Sequence, residues 1–198
     1  MKARRALLAV AGLVLALTAA VGAAGAPRTE RLVYTPFAAD GSLRADLTTV
    51  NRDGRCFTTS SQIPREGVYR CITGHLLRDP CYLDPSVDPN GGSPVVICPA
   101  APWRTGVVRI VLDGPLPPDE PLGFGPRPWA LELAGGARCL FGTGASNVVG
   151  GYRLNYACSQ HRFLFGSPRT SSPTWRIRES RSTDGRRMQL VAIRRAWR

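Results

Sequence analysis

The chain has 198 residues, 43% hydrophobic and 20% charged, and its 26 basic against 14 acidic side chains give a formal net charge of +12. This length allows one domain with a real core, the apolar content excludes a disordered chain, and 21 glycines with 17 prolines require many turns.

Residues 1–26 read as a signal peptide. Lys2, Arg4 and Arg5 form a basic start, residues 6–21 an apolar run, and small residues follow, with cleavage near 24–26. The lesser alternative is an uncleaved membrane anchor, since the run approaches the roughly 20 residues that span a bilayer. The expected location is therefore secreted or associated with the cell envelope. Residues 27–50 form an N-terminal extension or edge strand, and residues 51–198 a disulfide-braced β-domain.

Residues 47–63 carry polar β-formers around Cys56, interrupted by a turn at Asn51-Arg52-Asp53-Gly54, and residues 67–72 alternate so that Tyr69 and Cys71 share a face. Residues 73–94 read as a loop. Asp79, Asp84, Asp88 and Asn90 are hard oxygen ligands, but they match no EF-hand spacing, and Asp-Pro and Asn-Gly are ordinary turn chemistry. No metal and no cofactor is expected. Residues 95–98 and 105–113 are apolar strands, separated by a proline corner where Trp103 plugs the core. Six prolines within residues 114–128 exclude helix and central strand, leaving a stiff crossover between two sheets.

A three-residue loop at Ala134-Gly135-Gly136, with Gly136 left-handed, pairs Leu133 with Ala137, Glu132 with Arg138, Leu131 with Cys139 and Trp129 with Phe141. This register puts Trp129, Leu131, Leu133, Cys139 and Phe141 on one face and a Glu132–Arg138 ion pair on the other. Residues 142–151, GTGASNVVGG, receive no structural role. Tyr152, Leu154, Tyr156 and Cys158 then share an inward face opposite Arg153 and Asn155. A final hairpin joins residues 174–179 to 188–197, with Trp175 and Ile177 inward and Arg176 and Arg178 outward. No helical period follows the leader. The fold class is all-β: a single sandwich or barrel-like domain of about eight to eleven strands, stapled by disulfides, after an N-terminal signal helix.

Six cysteines in an exported chain indicate a disulfide framework. Sequential pairing, Cys56–Cys71, Cys81–Cys98 and Cys139–Cys158, is favoured because each pair brackets one turn region. A loop of this size closed by a disulfide stabilises by on the order of 3 kcal/mol in the chain-entropy model.

Charge is concentrated at the C-terminus: residues 27–158 hold 13 arginines and 12 acids, whereas residues 159–198 hold 10 arginines and 2 acids, a net of +8. Arg176, Arg178, Arg186, Arg187, Arg194 and Arg195 would form a ribbon for an anionic partner such as a cell-envelope polymer or a lipid surface. No specific nucleic-acid motif is present.

The succession Gly67-Val-Tyr-Arg-Cys71, Asp79-Pro-Cys-Tyr82, Cys98-Pro-x-x-Pro-Trp103, Pro128-Trp-Ala-Leu-Glu-Leu133, Arg138-Cys139, Asn155-Tyr-x-Cys158, Leu164-Phe-Gly166 and Ser172-Pro-x-Trp175 resembles small secreted proteins of high-GC Gram-positive bacteria. The resemblance implies export and disulfides and supplies no catalytic residue.

Serine-hydrolase, zinc-protease and phosphate-loop motifs are absent from the sequence. The leading expectation is an exported non-catalytic protein that binds an anionic or envelope partner through the C-terminal arginines. The alternatives are a secreted hydrolase using His75 or His161, with His75, Asp79 and Ser146 as one conceivable triad, and an inhibitor presenting residues 73–94 to another exported enzyme.

Overall fold

The computed structural model describes residues 27–87, 92–120, 127–144 and 146–198. Residues 1–26, expected to be a signal peptide, and Asp88, Asn90, Pro121 and Pro126 lie outside these residues. The strands are β1 (Glu30–Leu32), β2 (Thr48–Thr59), β3 (Val68–Thr73), β4 (Leu76–Leu83), β5 (Val95–Pro99), β6 (Gly106–Leu112), β7 (Ala130–Leu133), β8 (Arg138–Phe141), β9 (Val148–Val149), β10 (Tyr152–Cys158), β11 (Arg162–Arg169), β12 (Arg176–Ser180) and β13 (Gln189–Trp197). Helix is confined, among the described residues, to one 3-10 turn at Ser159–His161. The all-β class holds. Thirteen strands among the described residues exceed the expected eight to eleven because β4 replaces a loop and the two-residue β9 is added.

Two closed sheets carry the architecture. Strands β2 to β6 form a five-stranded barrel, closed by parallel pairing of β6 with the first half of β2. Strands β7, β8, β10, β11, β12 and β13 follow one another in the second sheet, and β13 also pairs with β7, so its ends meet. β1 lies parallel to β13 on this second barrel. In chain order, β1 thus belongs to the second barrel, β2 to β6 to the first, and β7 to β13 to the second again.

The first barrel departs from the sequence reading at two places. Asn51-Arg52-Asp53-Gly54 is not a turn but the middle of the twelve-residue β2, because residues 48–54 find a parallel partner in β6. Residues 76–83 are strand rather than loop, paired with β3 and β5. Pro80, which has no N–H to donate, falls where the β3–β4 register shifts, a bulge that spares it a ladder bond.

Each barrel is filled by alternating side chains. Tyr69, Val96, Ile110 and Leu112 surround Cys56, Cys71, Cys81 and Cys98 in the first. Leu131, Leu133, Tyr156, Leu164, Ile177 and Ile193 surround Cys139 in the second. Burying one such aliphatic side chain contributes about 1.5–3 kcal/mol. Disulfides join Cys56 to Cys71, Cys81 to Cys98 and Cys139 to Cys158. A third cluster, with Tyr34, Ile63, Val68, Tyr82, Trp129 and Trp197, draws on both barrels and joins them.

The hairpin of β7 and β8 has Leu131 facing Cys139 and Glu132 facing Arg138, with Gly136 left-handed at φ 79°. Two details differ from expectation. Trp129 leaves the barrel interior for the joint, and buried Glu132 pairs with Arg194 and Arg195, because β13 lies against β7 and sets Arg195 opposite Glu132. In β10 a register shift between Leu154 and Tyr156 breaks the expected alternation: Asn155 is buried, and Tyr152 sits beneath the Arg178 guanidinium.

Close packing sets one sharp requirement. A Cβ on Gly54 would lie 2.4 Å from the Ile72 carbonyl oxygen and 3.2 Å from Ile110 Cγ2 and Thr73 Cγ2. Gly54→Ala is therefore expected to lower the unfolding free energy by about 1–3 kcal/mol. Urea unfolding with the disulfides intact measures this, and an unchanged midpoint would show that β2 and β3 separate freely.

Candidate functional site

Between the two barrels the chain builds a basic cleft whose first wall is organised by one buried carboxylate. Asp79, on β4 beside the bulge, has a fully buried side chain. It accepts hydrogen bonds from Ser60 Oγ at 2.5 Å, Ser61 Oγ at 2.7 Å and Ser61 N–H at 3.2 Å, and Arg70 Nε lies 3.8 Å away. Ser60 Oγ accepts in turn from the N–H groups of Gln62 and Ile63, which fixes the turn after β2. Burial pushes the Asp79 carboxyl above the usual carboxylate range, against the opposing pull of the serine bonds and Arg70.

The second wall comes from the other barrel. Arg153, on β10, donates from Nη1 to Asn155 Oδ1 at 2.6 Å, and from Nη2 to the carbonyls of Gly144 at 2.6 Å and Gly142 at 3.4 Å. Asn155 is anchored because its Nδ2 donates to the Gly166 carbonyl at 2.9 Å. Arg153 is thus held in place by neutral groups, and it holds residues 142–144 in return. Its guanidinium and that of Arg127 lie over the Phe141 ring, at 5.6 and 5.5 Å from the centroid. The backbone beside Arg127 is pinned where Tyr156 Oη donates to the Pro128 carbonyl at 2.7 Å.

Together these walls enclose a cavity of about 250 Å³ lined by Ser61, Arg70, Arg127, Phe141, Gly142, Thr143, Gly144 and Arg153. Three guanidiniums and the Thr143 hydroxyl suit an anionic oxygen-bearing group, since planar forks and an O–H donor match phosphate, sulfate or carboxylate oxygens, while the Ser61 hydroxyl gives its hydrogen to Asp79. A second hollow of about 230 Å³, lined by Val33, Gln62, Ile63, Pro64, Arg65, Arg127 and Arg198, adjoins it across Arg127 and the Ser61–Gln62 step.

The C-terminal ribbon is less uniformly charged than its sequence suggests. Arg186 pairs with Asp184 at 2.9 Å, Arg194 with Glu132 at 3.2 Å, and Arg195 with Glu30 at 2.7 Å and Glu132 at 3.5 Å. Arg178 lies 3.7 Å from the Tyr152 ring centroid. Arg176 faces Arg169 across β11 and β12, both exposed, and Arg187 is exposed with a left-handed φ of 54°. Among the described residues, Arg176, Arg178 and Arg187 of the six have no carboxylate partner.

Neither histidine joins the cleft. His75 stands exposed in the turn between β3 and β4, and His161 is exposed in the 3-10 turn, neither imidazole with a hydrogen-bonding partner among the described residues. Asp79 is engaged by serines and Arg70 instead of by His75, and Ser146 Oγ makes no hydrogen bond among the described residues. Asp84 accepts from the N–H and hydroxyl of Ser86 in its own turn. Among the described residues, Cys71, Cys81 and Cys98 form the one group of potential metal-ligating atoms, and all three are in disulfides.

Ser61, Arg70, Arg127 and Thr143 carry no sequence signal, because single arginines and hydroxyls in strands and turns read as solvent-facing. The unassigned residues 142–151 were a partial one, since Gly142, Thr143 and Gly144 supply part of the wall.

Comparison with protein families, with characterised proteins and with solved structures gives no match to this chain. Its class therefore rests on its own features: a disulfide-braced pair of β-barrels with an arginine-lined cleft between them. Three disulfides indicate an oxidising compartment. Among the described residues, no helix is long and apolar enough to cross a membrane.

The Asp79 carboxyl makes a signed prediction. Its folded-state pKa lies above that of the unfolded chain, so its stabilising contribution is full below about pH 4 and is lost as pH rises through the folded value. The unfolding free energy of the native protein minus that of Asp79→Asn is expected to fall as pH rises from about 3 to 7. Denaturant titrations across this range measure it, and a difference that grows with pH would contradict the assignment.

Proposed function

We propose that this is an exported, non-catalytic binding protein whose inter-barrel cleft holds an anionic group of a cell-envelope partner. The observation that carries this reading is the convergence of Arg70, Arg127 and Arg153 on one cavity with the Thr143 hydroxyl. Export is supported by the leader-like residues 1–26 and by the disulfides. The exposed Arg169 and Arg176, together with Arg178, add a positive face that would draw an anionic polymer or lipid surface toward the protein.

Cleft and ribbon have different expected roles. A group held in the cleft meets fixed donors from both barrels, whereas the ribbon attracts at longer range and weakens with screening. Arg153→Gln and Arg127→Gln are each expected to weaken inorganic phosphate binding by about tenfold, near the roughly 1.5–3 kcal/mol of a charge-assisted hydrogen bond. Arg176→Glu/Arg178→Glu should leave phosphate affinity unchanged and reduce adhesion to purified envelope at low salt. Calorimetry on variants with wild-type melting temperatures measures the first effect, and phosphate binding that is indifferent to both cleft arginines would remove the basis of this reading.

A further inference from the structure

The basic cavity and its neighbour differ in chemistry although they share a wall. Ser61 lines the first and Gln62, Ile63 and Pro64 line the second, so one short turn runs along both, and Arg127 stands between them. The second hollow presents apolar surface: Val33 is 67% exposed on the chain leaving β1, with Ile63 and Pro64 beside it. An exposed valine next to a proline and an isoleucine, rimmed by cationic side chains, suits a ligand with apolar and anionic parts in sequence.

The walls give this hollow a defined shape. Val33 is held by its neighbours, since Arg198 N–H donates to the Leu32 carbonyl at 3.0 Å and Tyr34 N–H to the Arg198 carbonyl at 3.0 Å. On the opposite side, Arg65 lies over the Tyr82 ring at 5.4 Å from its centroid, and its Nη2 is 3.4 Å from the Tyr34 carbonyl. The apolar strip is therefore flanked by Arg65 and Arg198, while the Arg127 side opens toward the cavity that Arg70 and Arg153 line.

We infer that the cleft binds a single-chain anionic amphiphile, with the anionic head among Arg70, Arg127 and Arg153 and the start of the alkyl chain on Val33, Ile63 and Pro64. This rests on the anion-binding reading of the same cleft and extends it from a charged group to a lipid-like ligand. The charge complementarity of the two hollows favours this occupant: a free inorganic anion leaves the apolar strip wet, and an uncharged chain leaves Arg153, held by an amide and two carbonyls, without a counter-charge.

Calorimetry with octyl phosphate, ethyl phosphate, inorganic phosphate and octanol, all below micelle formation and at fixed ionic strength, tests the inference. Each further buried methylene should tighten binding about fourfold. Octyl phosphate is thus expected to bind at least tenfold more tightly than inorganic phosphate, with ethyl phosphate between them and octanol weakest. Val33→Asn should remove the gain from chain length and leave inorganic phosphate affinity unchanged, and Val33→Leu should preserve the gain. Equal affinity for octyl and inorganic phosphate overturns the amphiphile inference while the anion-binding reading stands. Absence of binding by every phosphate overturns both, and tighter binding of octanol than of ethyl phosphate overturns the placement of the head among the arginines.

Discussion

The geometry of the cleft depends on the aromatic joint between the barrels. One cleft wall is carried by β3 and the turn after β2, the other by β8 and β10, so any sliding of the barrels changes the distance between Arg70 and Arg153. What resists sliding is a set of interlocked rings: Tyr34 meets Trp129 edge-on at 5.6 Å and Tyr82 at 5.9 Å, and Trp103 meets Trp197 at 5.4 Å. Such pairs add about 0.5–1.5 kcal/mol each beyond their buried area. Backbone bonds reinforce them, with Trp129 N–H donating to the Trp197 carbonyl and Tyr34 N–H to that of Arg198. The hydroxyls of Tyr34 and Tyr82 and the indole N–H of Trp129 find no partner among the described residues. Shape and apolar area therefore hold the joint more than side-chain hydrogen bonding does, and burial pushes the Tyr82 phenol strongly upward.

The disulfides do a different job. Each joins residues that face one another on neighbouring antiparallel strands: Cys56 faces Cys71, Cys139 faces Cys158, and Cys81 and Cys98 flank the Tyr82–Ile97 pair. They staple hairpins inside each barrel and no disulfide crosses from one barrel to the other. The barrels are thus covalently braced as units, while their relative position is a non-covalent matter.

Much of the local structure was legible because a period of two and a glycine turn are local signals. The β7–β8 register followed from requiring Leu131, Leu133 and Cys139 on one face with Gly136 left-handed, and the structure has that pairing. Long-range closure was not legible. Nothing near Glu132 announces that β13 will lie beside β7, so its ion pair was assigned to the cross-strand Arg138 instead of Arg194 and Arg195. Asn51-Arg52-Asp53-Gly54 has turn composition and becomes strand only because β6 supplies a parallel edge. Asp79 follows the same logic: an Asp-Pro pair signals a turn locally, yet the two serines after β2 convert it into a buried acceptor.

The same distinction bears on charge. A net of +8 over residues 159–198 is a property of the sequence segment, whereas the field at a surface depends on which carboxylates the fold brings there. Here Glu30 and Glu132, distant in sequence, come to Arg194 and Arg195, and Asp184 comes to Arg186. What remains on the exposed strands is screened over a Debye length of about 8 Å at physiological ionic strength. Fewer arginines inside a cleft have greater leverage, because partial exclusion of water lowers the effective dielectric and fixed donors need no reorganisation when an anion arrives. Arg153 illustrates this: its partners are an amide and two carbonyls, which orient the guanidinium without neutralising it. A cation placed by neutral groups keeps its full charge for a ligand, and on that physical ground Arg153 outranks the ribbon arginines that Glu30, Glu132 and Asp184 compensate, even though its neighbour Arg70 faces the Asp79 carboxylate.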